Sequence, residues 1–181
     1  MNTNVSKPRF GTDGWRGIIG EDFNAFNCFL VVTSLLKLSP SLKKIIIGYD
    51  TRELSYEISI KIKKYLFNKG IDTILSSCPI PTPAVSFSVK NKGADLGIII
   101  TASHNSKIWN GIKIKNKYGQ SISESEANKL TEIIYKEKID MDKLLNRGKY
   151  SIKKETKIID EKIKPIFKIF GIGKEFFCSP F

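Results

Sequence analysis

Breakers divide the first 138 residues into short segments whose apolar positions recur at either helical or strand spacing. From Asn24 to Leu38, residues Ala25, Phe26, Phe29, Leu30, Val32, Leu35 and Leu36 are apolar and Ser39-Pro40 closes the run, which predicts a largely buried helix. Lys44 to Tyr49 holds Ile45-Ile46-Ile47, a β-branched run of the kind found inside a sheet. Ser55 to Lys69 predicts a second helix, with Ile58, Ile62 and Leu66 on one face and Gly70 as its stop, and Ile71 to Leu75 a second strand. The prolines of Cys78-Pro79-Ile80-Pro81-Thr82-Pro83 stiffen a loop, after which Thr82 can cap and Pro83 can open a helix to about Lys92. Leu96 to Ile100 is apolar on both faces, as a doubly covered strand is. After the turn pair Asn110-Gly111, Ile112 and Ile114 alternate with Lys113 and Lys115 in the manner of a half-exposed strand. Ser123-Glu124-Ser125-Glu126 is a capping box that opens a last helix to about Lys138.

Helices and strands that alternate through short connections predict an α/β fold, a three-layer α/β/α sandwich around a mixed four-stranded sheet. The sheet is mixed because the segment Ile112 to Ile114 returns too soon after Ile100 for a parallel crossover. Phe10 to Gly20, rich in glycine, reads as an opening loop. One domain is expected over residues 1–138. Residues 139–181, where the pattern decays into lysine-rich segments with one helix from Lys157 to Phe170 broken at Pro165, read as a linker and the truncated start of a second domain.

Composition narrows the function classes. With 41% hydrophobic residues in 181, the chain can bury a core and is not a disordered polyelectrolyte. No apolar run reaches the roughly 20 residues of a membrane span and no secretory segment opens the chain, so the expected setting is the cytosol, away from membranes. Cys28, Cys78 and Cys178 lack metal-binding spacing and read as ordinary thiols. The formal charge of +12 suits an anionic partner. Its lysines are scattered over every segment, and no aromatic-stacking or helix-turn-helix pattern accompanies them, which argues against nucleic acid. A basic, non-catalytic polyanion-binding module and a non-functional gene remnant stay open as alternatives. The four arginines, Arg9, Arg16, Arg52 and Arg147, are the more informative cations, because a guanidinium grips phosphate with two prongs.

Ligands in open α/β sheets collect beyond the carboxyl ends of strands, and there stand Asp50 and Arg52, Cys78 to Pro83, and Ser103, His104 and Asn105. Adjacent residues of an extended segment point in opposite directions, so His104 is badly placed to act as a base for Ser103, and no G-x-S-x-G elbow is present. Two readings of the segment stay open. Ser103 and Asn105 satisfy backbone groups in a strand-to-loop turn, or Ser103 carries phosphate with Arg16 and Lys113 as cationic donors around it. On the first reading Arg16 and Lys113 are plain surface charges.

Five segments then take the reading further. Phe10-Gly11-Thr12-Asp13-Gly14-Trp15-Arg16-Gly17, Gly48-Tyr49-Asp50-Thr51-Arg52, Pro79-Ile80-Pro81-Thr82-Pro83-Ala84, Thr101-Ala102-Ser103-His104-Asn105 and Asn110-Gly111-Ile112-Lys113 together resemble the first domain of the α-D-phosphohexomutase family, which includes phosphoglucomutases and phosphomannomutases. The resemblance covers about residues 8 to 138. It implies an isomerase that moves phosphate between the 1- and 6-positions of a hexose through an enzyme phosphoserine and a bisphosphate intermediate, with hexose 1,6-bisphosphate as activator and hexose phosphates as substrates. Ser103 matches the phosphorylated residue, an oxygen of whose phosphate ligates Mg²⁺. Arg16 and Lys113 match positions that contact the phosphoserine and assist proton transfer. His104 and Asn105 match the rest of the serine loop, and Gly11, Thr12 and Gly14 the opening loop that approaches the phosphate. Asp50 and Arg52 match a segment with a structural role beside it. Trp15 resembles the hexose-phosphate mutases more than the glucosamine-phosphate branch, usually aliphatic there.

The same resemblance exposes a shortfall. The family's D-G-D-x-D-R metal loop, G-E-x-S-G sugar loop and carboxyl-terminal phosphate loop have no counterpart in the 181 residues, and Asp140-Met141-Asp142 offers only two carboxylates. The expectation is therefore one domain of four, supplying a single Mg²⁺ ligand, inactive alone and completed, if at all, by a separate chain.

Overall fold

The computed structural model of the chain describes residues 6–137. Asp140-Met141-Asp142, the helix expected from Lys157 to Phe170 and the second-domain start lie outside the described residues.

The chain runs β1 (Trp15–Ile18), α1 (Ala25–Leu38), β2 (Lys44–Tyr49), α2 (Ser55–Asn68), β3 (Asp72–Leu75), α3 (Thr82–Asn91), β4 (Leu96–Ile100), β5 (Trp109–Asn116) and α4 (Glu124–Lys136). The strands form one mixed sheet in the order β1-β5-β4-β2-β3. β3, β2 and β4 are parallel, and β5 runs antiparallel between β4 and β1. Side chains that alternate along β2 divide the core: Ile45, Ile47 and Tyr49 pack with α1, α2 and α4 residues such as Leu30, Ile62 and Leu130, whereas Ile46 packs with Ile80, Val85 and Val89 on the α3 side. The three layers of the sandwich are these two helical faces and the sheet between them.

Several sequence expectations need correction. The sheet has five strands rather than four, because Trp15–Ile18, read as part of a glycine-rich loop, pairs antiparallel with β5. Four residues with Arg16 and Gly17 among them carry no alternating signature, and only the distant partner makes them a strand. Asn110-Gly111 does not turn the chain either. It lies within β5, where Gly111 pairs with Arg16, and a Cβ there would stand 2.3 Å from the Trp15 carbonyl oxygen and 3.0 Å from that of Thr101. The glycine serves close packing of three strands, and β5, flanked on both sides, is buried rather than half exposed, with Lys113 only 8% accessible.

Local chemistry sets the helix ends. Asn24 caps α1 by accepting from the Asn27 N–H at 2.9 Å, and Ser123 with Glu126 forms the expected capping box on α4. The α3 cap is Pro81, one residue before the expected Thr82, and it makes no side-chain cap bond. Cys28 is fully buried, and burial pushes its thiol well above the ordinary value, so it is inert.

Two carboxylates give the fold an acid-labile component. Asp95 accepts from the backbone N–H groups of Lys43 at 2.7 Å and Lys44 at 2.9 Å, bonds that hold its carboxyl below the usual range against a small opposing effect of burial. Glu126 is lowered in the same way by the Ser123 hydroxyl and N–H. A carboxylate with a depressed folded pKa stabilises fully above its unfolded value of about 4 and loses that contribution as pH falls through the folded value. Thermal melts between about pH 5 and pH 2.5 should therefore fall steeply, and Asp95→Asn with Glu126→Gln should flatten the slope. An unchanged slope in the double variant defeats the assignment.

Candidate active site

Residues 101–108 connect β4 to β5, and Ser103 stands exposed in them with φ of +58°, a left-handed conformation uncommon for a residue with a side chain. Such a backbone persists only where its surroundings over-determine it. Here they do. The Ser103 N–H donates to Thr101 Oγ1 at 2.9 Å, and the Ser103 carbonyl accepts from Arg52 Nη2 at 2.9 Å.

Arg52 organises the whole loop. Its Nη2 also donates to the Asn105 carbonyl at 2.5 Å, and its Nη1 to the carbonyls of Ser106 at 2.7 Å and Trp109 at 2.8 Å. Its Nε faces Asp50 Oδ2 at 3.3 Å in an ion pair, so each nitrogen of the guanidinium has a partner. Asp50 Oδ1 in turn accepts from the Arg52 N–H at 2.9 Å and the Ser55 hydroxyl at 2.7 Å. Ser55 Oγ takes a bond from Asn110 Nδ2 at 2.8 Å, and the same amide reaches the Glu53 carbonyl at 2.9 Å. The segment after β2 is thereby locked to the start of β5. Asn110, fully buried, is the member of this network that its dipeptide with Gly111 disguised as a turn.

A second cluster forms where the opening segment meets β5. Gly11 and Gly14 exchange backbone hydrogen bonds at 3.1 and 3.0 Å, with Thr12 and Asp13 at the exposed tip between them. Gly14 has φ of +98°, and a Cβ on it would stand 2.3 Å from the Ile112 carbonyl oxygen and 3.1 Å from Lys113 Cα. Arg16 passes over Gly111, its Cγ 3.1 Å from where a Cβ would be, on the spot that the Thr101 carbonyl also approaches. Arg16 and the root of the serine loop are thus neighbours across a glycine. Register on β5 places Gly111, Lys113 and Lys115 on one face. The Asp13 carboxylate pairs with Arg16 Nη2 through one oxygen and accepts from Lys113 Nζ at 2.8 Å through the other.

The electrostatics follow. Partial burial would raise the Asp13 carboxyl, but the hydrogen bond from Lys113 and the charges of Lys113, Arg16 and Lys115 together hold it below the usual range. Lys115 is lowered, first by burial and then by repulsion from Lys113. His104 is exposed next to Ser103, and Asn105 is half-buried with its N–H on the Ala102 carbonyl at 3.2 Å.

The described residues do not make a cation site by themselves. No group of three or more His, Cys, Asp or Glu side chains among them is placed to hold a metal ion, and the guanidinium of Arg52 lines the serine loop with positive charge. The expected Mg²⁺ would need its remaining oxygens from elsewhere. Nor is any helix among the described residues long and apolar enough to cross a membrane.

This arrangement of a mixed five-stranded sandwich with a serine loop at a strand end is a known one. The chain belongs to the phosphoglucomutase/phosphomannomutase family, whose α/β/α domain I model matches residues 7–140. It is 38% identical over 127 residues to a phosphoglucosamine mutase from Sulfurovum sp. (strain NBC37-1), covering 68% of this chain and 28% of that one. A phosphoglucomutase from Staphylococcus saprophyticus is 37% identical over 131 residues, 69% of this chain and 24% of the relative. The phosphoglucomutase parafusin from Paramecium, in its open form, superposes with a TM-score of 0.65 at 22% identity, over 77% of this chain and 29% of that one, and shows the fold alone. The chain thus spans about a quarter to a third of the length of these relatives. Relatives of both the glucosamine and the glucose branch match, and the tryptophan expected to lean toward one of them faces the core. Trp15 is buried and stacks on Phe23 with ring centres 5.8 Å apart.

Proposed function

We propose that this chain is the phosphoserine-bearing domain of a hexose-phosphate mutase, with Ser103 as the carrier and Arg16 and Lys113 as the cations that steady its phosphate. The observation that carries the reading is the constrained serine: exposed, left-handed, and fixed by Arg52 at a strand end, in a loop whose root at Thr101 lies near Arg16 across Gly111. Phosphoryl transfer asks of a protein chiefly position and compensating charge, and a loop held through four backbone carbonyls supplies the first. In the forward half-reaction the Ser103 Oγ–P bond breaks as a sugar hydroxyl bonds to phosphorus, and the hydroxyl proton is returned to the departing serine oxygen. The guanidinium of Arg16 offsets charge on the equatorial oxygens. Mg²⁺, hexose 1,6-bisphosphate as activator, a cytosolic setting and completion by further domains belong to the same proposal. The overlap with only part of each relative supports the last of these.

A chimera tests it. Placed ahead of the remaining domains of a phosphoglucosamine mutase relative in place of that relative's own domain I, the chain is expected to restore mutase turnover and to carry phosphate at Ser103 by mass spectrometry. Ser103→Ala should lower turnover at least about a thousandfold, the scale of losing a covalent carrier. Phosphate on another residue, or turnover indifferent to Ser103→Ala, rejects the assignment. Robust turnover by the 181 residues alone would reject the need for further domains.

A further inference from the structure

Arg16 and Lys113 are held together by a carboxylate. Asp13 places one oxygen on each cation, at 2.8 Å for Lys113, and it does so from the outside of the cluster: its side chain is 63% accessible against 27% for Arg16 and 10% for Lys113. Without it, two like charges with Lys115 behind them would stand unneutralised on one patch of sheet, and they would repel and splay. The carboxylate also leaves capacity unused, since Arg16 Nε is buried with no partner among the described residues. One single-charged group therefore neutralises a site with room for more charge and more acceptors.

We propose that Asp13 is a positioning residue that stands in for phosphate: its carboxylate keeps Arg16 and Lys113 converged while position 103 bears a free hydroxyl, and yields them when a phosphate dianion arrives. The inference rests on Arg16 and Lys113 being the phosphate-holding pair. Three features make the exchange feasible. Asp13 sits at the tip of a two-residue turn, so its side chain can rotate into water without moving the sheet. Its exposure makes rehydration of the released carboxylate cheap. A phosphate brings two charges and three acceptor oxygens to a guanidinium that one carboxylate oxygen occupies at a single nitrogen. The stand-in has a consequence for affinity, because an incoming anion must displace it and so binds the unphosphorylated site more weakly than the bare cations would allow.

Titration of the full chain with inorganic phosphate, followed by calorimetry and by side-chain NMR of the Arg16 guanidinium, tests this. Asp13→Asn removes the competing charge, and because the arriving dianion itself draws the two cations together again, phosphate is expected to bind at least about tenfold tighter, whereas Asp13→Glu, which keeps the competitor, stays near the parent. Arg16→Gln in the Asp13→Asn background should abolish the gain. Circular dichroism melts confirm that each variant folds, which the exposure of Asp13 favours. If phosphate binding depends on Arg16 but Asp13→Asn binds no tighter than the parent, the stand-in is wrong and the cation pair survives. If Arg16→Gln changes nothing in any background, the pair itself is wrong and the stand-in falls with it.

Discussion

Replacing Arg52 with lysine is expected to lower stability by about 3 kcal/mol and to loosen the serine loop, a large loss for a conservative, charge-preserving change. The guanidinium reaches carbonyls of Ser103, Asn105, Ser106 and Trp109 and the Asp50 carboxylate at once. An ammonium has its three donors on one nitrogen and cannot span that ring of acceptors. Each hydrogen bond to a charged group is worth about 1.5–3 kcal/mol net, and water can replace part of what is lost because the loop is at the surface, which keeps the total below the sum. The more telling readout is amide exchange. Protection of the Asn105 and Trp109 N–H groups, bonded within the loop at 3.2 and 3.1 Å, should drop in Arg52→Lys, while protection in β2 and β4 follows global stability. Melting and loop protection both at the parent's level would show that the loop holds itself.

Gly14→Ala is the second large effect, at about 3 kcal/mol, and a control separates its two causes. A side chain at φ of +98° is strained, and its Cβ would meet the Ile112 carbonyl at 2.3 Å. That oxygen belongs to the backbone of a central strand and cannot give way, so the opening segment must lift off β5, carrying Asp13 away from Lys113. Gly20 also has positive φ, +86°, but nothing lies within 4 Å of its Cβ position. Gly20→Ala should therefore cost only the strain, about 1 kcal/mol. Equal losses in the two variants would remove the steric account.

The elements that sequence pattern revealed are those whose burial is written in their own residues. The triple isoleucine of β2, the doubly apolar Leu96 to Ile100 and the amphipathic α4 with its capping box all declare themselves locally. β1 and the first residues of β5 do not, because each is a strand only by virtue of the other, and glycines at positions 17 and 111 removed the alternation that would have marked them. The motifs mark Ser103, Arg16, Lys113 and Arg52, but two features of the site are visible only in the fold. Asp13 was one letter of a motif until its carboxylate was seen between two cations, and Asn110 was a turn former until burial showed it bridging Ser55 and Glu53. Polar residues that act through distant partners leave no periodic trace.

The pairing of the first strand with the fifth also dictates an order of assembly. Trp15 finds its place only opposite Ile112, whereas β2, β3 and β4 pair with strands synthesised shortly before or after them. On a ribosome extending at roughly 5–20 residues per second, the opening stretch waits about 5–20 s for its seat. During that interval Phe10 and Trp15, both buried in the finished domain, lack the partners that β5 and α4 bring, and closing the long loop back to them costs entropy. Arg16 in the opening segment thus meets Lys113 only once β5 has been made, and a chain that ends before residue 109 has β2, β3 and β4 but no Arg16–Lys113 cluster.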